Sequence, residues 1–145
     1  MTKRINTAHI NSLIAPTVDA GTRKDVLFLP WPPSVNHYWR HSMGRVMISR
    51  EGRQYRGRVM DAVSSQGLGV FNAFGSKMRL RVAIRAYAPD KRRRDVDNLP
   101  KAILDALMHA GVYGDDSQID ELSIVRGAPG AGIVSVIIEP IVRVL

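Results

Sequence analysis

One stretch decides the fold: Arg92-Arg93-Arg94-Asp95-Val96-Asp97-Asn98-Leu99-Pro100-Lys101, which joins a predicted strand to a predicted helix. Before it, apolar residues alternate with basic ones from Met78 to Ala86, which is the period of a strand with one buried face. After it, apolar residues recur at helical spacing from Leu99 to Ala110, and Gly111 ends the pattern. Asn98 is the predicted N-cap of this helix.

The rest of the chain adds one helix and several strands. The helix is predicted over Glu51–Ser65, and the strands are predicted over Val26–Leu29, Arg45–Ser49, Leu122–Val125 and Ile133–Ile138. The last of these strands is apolar throughout, which is typical of a central strand. The order of elements indicates an α+β fold, a single domain with a mixed β-sheet flanked by helices.

Length and composition narrow the class of protein. The chain has 145 residues, of which 45% are hydrophobic and 23% are charged, as expected for one globular domain. The absence of cysteine excludes disulfides, thiolate metal sites and cysteine nucleophiles. No apolar run approaches the ~20 residues that span a bilayer, and polar residues interrupt the first 20, so we expect a cytoplasmic protein with no membrane partner. Residues 1–24 show no periodicity and are interpreted as a flexible arm before a domain at 25–145.

The charges are unevenly distributed. Lys and Arg number 21 against 13 Asp and Glu, which gives a net charge of +8 and favours a polyanionic partner. The basic run Lys91–Arg94 is followed by a window rich in acids, from Asp95 to Glu121. Basic and acidic residues side by side predict a site where an anion and a divalent cation meet.

The acidic window contains two pairs of aspartates. If Arg94–Asp97 is extended, Asp95 and Asp97 project from one face as a chelating pair. The N-terminus of the following helix and Lys101 in its first turn could receive a phosphate beside them. Asp115 and Asp116 can join them only if the chain returns along the flank of that helix. Aspartate oxygens are the ligands that Mg²⁺ prefers.

Other interpretations of the same residues stay open. An EF-hand is excluded, because Pro100 stands where its loop requires glycine. The first pair can instead be a solvated turn with ion pairs, and the second a polar loop. Lys101 can pair with Asp105, which we expect to be solvated on the polar face of the helix. Three aromatic residues can serve either in the core or as base-stacking platforms, namely Trp31, Tyr38 and Trp39.

The ordered motifs of the chain are similar to those of a known family. They are Leu29-Pro30-Trp31-Pro32-Pro33-Ser34-Val35-Asn36 with Tyr38, Ile48-Ser49-Arg50-Glu51-Gly52, Arg92–Leu99 with Lys101, and Asp115-Asp116-Ser117-Gln118. Together they resemble the RusA family of Holliday junction resolvases, from about Val26 to Glu139. The resemblance implies a homodimeric endonuclease of bacterial or prophage origin that uses Mg²⁺, or Mn²⁺ in its place. Its partner would be four-way junction DNA, which it nicks symmetrically during DNA recombination and repair.

The resemblance also implies residue roles. Asp95, Asp97 and Asp116 would be the catalytic carboxylates that bind metal, Lys101 would be the catalytic lysine, and Asp115 would have a lesser role. The DNA-binding residues would be Arg92, Arg93, Arg94, Asn36 and Arg40. Two alternatives remain: a non-catalytic basic DNA-binding module whose acids are only structural, and a general structure-selective nuclease with the same metal chemistry.

Overall fold

A computed structural model describes residues 26–66 and 74–142. The strands are β1 Val26–Pro30, β2 Trp39–Ser42, β3 Arg45–Ile48, β4 Leu80–Tyr87, β5 Ile119–Arg126 and β6 Ile133–Pro140. The α-helices are α1 Val35–Tyr38, α2 Arg50–Ser65 and α3 Pro100–His109, and two 3₁₀ turns cover Val96–Asn98 and Asp116–Gln118. The predicted arm at 1–24 lies outside the described residues, so it stays a prediction.

Four of the strands form one mixed sheet in the order β1-β6-β4-β5. Strands β4 and β5 are parallel, whereas β6 pairs antiparallel with both β1 and β4. Strands β2 and β3 form a separate antiparallel hairpin. The α+β class, the mixed sheet and the central place of the apolar strand β6 are therefore confirmed.

The core lies between this sheet and the helices α2 and α3. Alternate residues of β4, Leu80, Val82 and Ile84, are buried, and they belong to the same apolar cluster as Val59 of α2 and Ile103 of α3. Burial of each such side chain contributes roughly 1.5–3 kcal/mol to folding. The alternation seen in the sequence thus fixes which face of β4 receives the helices.

The connection between β4 and β5 positions the site described below. It runs through the turn Val96–Asn98, helix α3 and the turn Asp116–Gln118 before β5 begins. Because β4 and β5 are parallel, the turn Val96–Asn98 follows the carboxyl end of β4, where open α/β sheets place their ligands, whereas the turn Asp116–Gln118 precedes the amino end of β5. The stretch that decides the fold is therefore also the stretch that builds the cleft.

Two local predictions are wrong. Arg94–Asp97 is not an extended segment, because Val96–Asn98 forms a 3₁₀ turn in which the Asn98 and Leu99 N–H groups donate to Asp95 and Val96 carbonyls, each at 3.3 Å. The turn satisfies two backbone donors that pair with no strand in the described part of the chain. Asn98 is consequently part of this turn, and Leu99 is the N-cap of α3 without a side-chain cap.

The hairpin and the short helix before it were only partly predicted. The strand expected at Arg45–Ser49 is present as β3, but α1 and β2 were not expected. The helix α1 spans about one turn, and β2 has Trp39 as its single apolar residue, so neither shows a hydrophobic period. Across the two described ranges, no helix has both the length and the apolar character needed to cross a membrane.

Candidate active site

A cleft of about 180 Å³ lies at the carboxyl ends of the parallel strands. Ala86 and Ala88 line it from the end of β4, and Arg126 and Gly127 line it from the end of β5. The other lining residues include members of the basic run and of the first aspartate pair: Lys91, Arg92, Arg94 and Asp95. The cleft is thus lined by both cations and a carboxylate.

Of the first aspartate pair, Asp95 lines this cleft and Asp97 does not. Asp95 has extended backbone angles and an exposed side chain, and Asp97 is exposed within the 3₁₀ turn that follows. Val96 between them is half-buried and lines the cleft. Because the segment turns at Val96, the alternation of an extended chain does not place the two carboxylates on one face.

Lys101 is in the first turn of α3, as predicted, where Pro100 occupies the first helical position. Its side chain is exposed and makes no ion pair with any residue in 26–66 or 74–142. The alternative in which Lys101 pairs with Asp105 is wrong, because Asp105 pairs with Arg56 instead. Lys101 and the N-terminal N–H groups of α3 therefore remain available to an anion.

The second aspartate pair divides into two roles. The Asp115 carboxylate accepts a hydrogen bond from the Ser117 N–H at 2.8 Å, which caps the turn Asp116–Gln118 and lowers the pKa of Asp115. The buried Gln118 amide accepts from the Gly114 and Asp115 N–H groups and donates to two carbonyls of the 75–78 segment. Asp115 thus stabilises the turn. Asp116 beside it is half-buried.

The segment that carries Asp116 lies at the amino ends of the parallel strands, because it directly precedes Ile119, which pairs with Leu80 at the start of β4. Tyr113 donates a hydrogen bond to the Leu104 carbonyl at 2.6 Å, and the turn Asp116–Gln118 contacts the helix. Burial of Tyr113, together with the charges of Asp116 and Asp105, raises the pKa of its hydroxyl. Asp97 is therefore on the turn before α3 and Asp116 on the turn after it, so the predicted meeting of the two aspartate pairs is not seen within the described residues of one chain.

The carboxylates are not gathered into a closed metal cage. In the part of the chain that the structure describes, no three His, Asp or Glu side chains form a group that could hold a metal ion. Mg²⁺ is usually held by only one or two carboxylates, with several waters and substrate phosphates as its other ligands. The exposed carboxylate of Asp95, which lines the cationic cleft, fits that mode of binding by its donor chemistry.

The basic run is braced by an acid that precedes it. Arg92 and Arg94 both donate to Asp90, at 3.0 and 2.7 Å, and these hydrogen bonds, that of Arg94 above all, hold the pKa of Asp90 well below its usual range. The Arg94 guanidinium also lies 5.6 Å from the centroid of the Trp31 ring, which lines the cleft. Arg93 is exposed and has no ion pair with a described residue. The run therefore keeps a net positive charge, and the contacts with Asp90 and Trp31 orient the side chains of Arg92 and Arg94 at the cleft.

The two remaining predicted DNA-binding residues lie away from this run. Asn36 is exposed in α1, and Arg40 is exposed in β2. Neither residue lines the cleft. Arg126, which the sequence analysis did not single out, does line it and donates to the Arg94 carbonyl at 2.9 Å. Its position at the end of a strand parallel to β4 is the signal that could have identified it.

The prediction that Asp105 is solvated is wrong. Asp105 is 8% exposed, and its carboxylate accepts hydrogen bonds from Tyr38 and from Arg56, the latter at 2.9 Å. Burial and the contact with Asp105 raise the pKa of Tyr38. Tyr38 is fully buried and Trp39 is half-buried against the core, so these two aromatic residues serve in packing. Trp31 is also half-buried against the core, and it lines the cleft as well, so both interpretations of this residue stay open.

Comparison with known proteins shows which family has this combination of a basic run, two aspartate pairs and a lysine. The family described as Endodeoxyribonuclease RusA matches residues 30–139, which include the cleft and both aspartate pairs. The chain belongs to the RusA family. The resemblance inferred from the motifs is therefore confirmed, and with it the prediction that the protein is a nuclease.

Individual RusA proteins are similar over most of the domain. A crossover junction endodeoxyribonuclease of Enterobacteria phage HK97 is 42% identical over 104 residues, which are 72% of this chain and 83% of the relative. Proteins of the same name from Shigella sonnei (strain Ss046) and Escherichia coli (strain K12) are 44% and 43% identical over 98 residues, 68% of this chain and 78% of each relative. RusA proteins thus occur in both phages and bacteria, which fits the predicted prophage origin.

Proposed function

We propose that this chain is a Holliday junction resolvase, a metal-dependent endonuclease that nicks four-way DNA junctions during recombination and repair. The observation that carries the proposal is the RusA match, because it spans the whole cleft together with Asp95, Asp97, Lys101 and Asp116. The relatives named crossover junction endodeoxyribonucleases support the choice of substrate. Such an enzyme acts in the cytoplasm, where the DNA of a bacterium or an infecting phage lies.

Mg²⁺ is the proposed cofactor, with Mn²⁺ able to replace it, and Asp95, Asp97 and Asp116 are its proposed ligands. The donor chemistry supports this choice, since carboxylate oxygens suit hard divalent cations and the chain has no thiolate for softer ones. When bound, such an ion supplies positive charge against the scissile phosphate and lowers the pKa of a bound water. Asp115 is not a proposed ligand, because its carboxylate caps the turn beside Asp116.

The residues around the aspartates would hold the DNA strand in place. Lys101 and the first N–H groups of α3 would bind the phosphate and offset the charge that develops on it during hydrolysis. Arg92 and Arg94, which line the cleft, and the exposed Arg93 between them would bind neighbouring phosphates. Asn36 and Arg40 would extend this DNA-binding surface beyond the cleft.

A panel of DNA substrates tests the proposal. We expect a four-way junction to be cleaved in Mg²⁺ or Mn²⁺ at least about 100-fold faster than a flap, a linear duplex or a single strand of the same sequence. Binding without metal, followed by gel shift, should show the same order. Equal cleavage of all four substrates would instead favour the general nuclease, and junction binding without any metal-dependent nicking would favour the non-catalytic module.

We propose that the enzyme acts as a homodimer. A four-way junction has near two-fold symmetry, and one active site cuts one strand, so a C₂ pair of sites is the simplest way to produce two matched nicks. The proposal is tested with heterodimers of the parent chain and Asp97→Asn, purified by two different tags. On a supercoiled cruciform plasmid, parent dimers should give mainly linear DNA, whereas heterodimers should give mainly nicked circles.

Two results would contradict the dimer. Heterodimers that linearise the plasmid as fast as the parent would mean that one site cuts both strands. A protein that sediments as a monomer at assay concentration and still linearises the plasmid in one encounter would contradict it equally.

A further inference from the structure

The hairpin of β2 and β3 carries an exposed apolar residue at its tip. Ser42 pairs with Arg45, which leaves Met43 and Gly44 as a two-residue turn with φ angles of +50° and +73°. Two positive φ values define a type I′ turn, which strongly favours Asn, Asp or Gly. Among the described residues, Met43 is the only one other than glycine with a positive φ.

Met43 is unfavourable at this position for two independent reasons. Its backbone is in the left-handed region, where an unbranched L-residue is strained, and its side chain is 99% exposed to water. Packing does not explain either cost, because the turn stands in open space and a Cβ at Gly44 would meet nothing within 4 Å. A residue with an unfavourable backbone conformation and no compensating contact in the fold indicates a functional position.

The outer face of the hairpin is cationic. Side chains alternate along a strand, so Arg40, Arg45 and Met47 share the face opposite to Trp39 and Ile48, which pack on the core. Arg40, Arg45 and Met47 are all exposed. The sequence from Trp39 to Arg50 contains no acidic residue. A polyanion is therefore the partner that this face fits.

The root of the hairpin is held rigidly against α2. The Ser49 N–H donates to the Tyr38 carbonyl at 2.9 Å, and the Ser49 hydroxyl accepts from the Gly52 N–H at 2.9 Å as the N-cap of the helix. A Cβ at Gly52 would lie only 2.5 Å from the Tyr38 carbonyl oxygen, so the helix approaches this closely because it has glycine there. The tip is thus presented on a fixed support, which lowers the entropic cost of binding.

We propose that this hairpin, with Met43 at its tip, is a second DNA-contacting element that inserts the Met43 side chain against unstacked bases at the branch point of the junction. Arg40 and Arg45 bind the flanking phosphates. A two-stranded ribbon fits a DNA groove, and methionine is among the apolar residues that proteins insert between base steps. Unstacking costs least where stacking is already interrupted, which is the case at a branch point. The inference rests on the proposed function for the identity of the substrate.

The test uses metal-free binding to a four-way junction that carries 2-aminopurine at its branch point, with a linear duplex as reference. The parent protein should raise the fluorescence of the junction probe, because the base loses its stacking partner. Met43→Asn suits the turn and removes the apolar side chain, so it should lose this rise and weaken junction binding about tenfold. Its affinity for the linear duplex should change less than about twofold, and its unfolding temperature should stay equal or increase.

Two further variants complete the comparison. Met43→Leu keeps an apolar tip and should restore the fluorescence rise. Met60→Asn makes the matched substitution at a methionine of α2 that is 47% exposed, and it should bind as the parent does.

Other outcomes would overturn the inference. Met43→Asn with unchanged fluorescence and affinity would show that the tip does not contact the bases. A change in the sedimentation of free Met43→Asn would assign the tip to contact with a second copy of the chain. A parent protein that does not prefer the junction would contradict the proposed function itself, and the inference with it.

Discussion

Asp97→Asn is expected to bind a four-way junction as tightly as the parent protein and to cleave it at least about 1,000-fold more slowly. The amide has nearly the shape of the carboxylate, so the turn Val96–Asn98 should persist. It lacks the negative charge that a hard divalent cation requires. Asp95→Asn and Asp116→Asn should behave in the same way. Cleavage is followed under single-turnover conditions, and Mn²⁺ binding is followed separately by electron paramagnetic resonance, where the variants should bind the ion more weakly.

Asp61→Asn is the matched control, because Asp61 is exposed on α2 and has no proposed part in the site. It should cleave and bind Mn²⁺ as the parent does. Undiminished cleavage by Asp97→Asn would remove Asp97 from the metal site. Loss of junction binding by Asp97→Asn in the absence of metal would instead give the residue a role in folding or DNA contact.

The fold is predicted best where the hydrophobic pattern of a single strand or helix is visible in its own sequence. In β4 the alternation of apolar and basic residues is visible in the sequence, because each side chain alternates between the core and solvent. The segment Arg94–Asp97 carries no such signal, since Asp95, Val96 and Asp97 are compatible with an extended chain and with a turn. Its conformation depends on backbone donors that have no strand beside them, and that is a property of the assembled sheet.

In the candidate site too, local spacing is predictable from the sequence, whereas the relative position of distant segments is not. The spacing of Asp95, Asp97 and Lys101 along the chain indicates a site, but the place of Asp116 depends on the path of the chain after α3, which leads it to the start of β5. The difference between Asp115 and Asp116 could have been predicted, because Asp115 and Gln118 match the pattern of a capping box.

The environment of Asp105 could not have been predicted from helical periodicity. The residue lies among polar positions of α3, and only the packing of α1 and α2 against this helix brings Tyr38 and Arg56 to its carboxylate. These partners are 67 and 49 residues away along the chain. Asp105, which helical periodicity places on a solvated face, is thus the centre of the polar contact between α1, α2 and α3.

Asp105→Asn is therefore expected to destabilise the fold by about 3 kcal/mol, which lowers the unfolding temperature by roughly 10 °C. Removing the carboxylate leaves the Arg56 guanidinium, whose side chain is only 21% exposed, without its counter-charge. The measurement is thermal unfolding followed by circular dichroism. Cleavage by the folded fraction at 20 °C should stay within about threefold of the parent, because Asp105 is outside the proposed metal site.

A double-mutant cycle separates the ion pair from other effects of the substitution. Arg56→Gln removes the cation, so Asp105→Asn in that background should cost at least about 1.5 kcal/mol less than it does in the parent. Tyr38→Phe deletes one donor and keeps the ion pair, and it should cost only about 1 kcal/mol. Asp61→Asn again serves as the matched control and should leave the unfolding temperature unchanged. Equal costs of Asp105→Asn in the two backgrounds would mean that Asp105 and Arg56 do not stabilise each other in solution, and that the contact between α2 and α3 depends on its apolar residues alone.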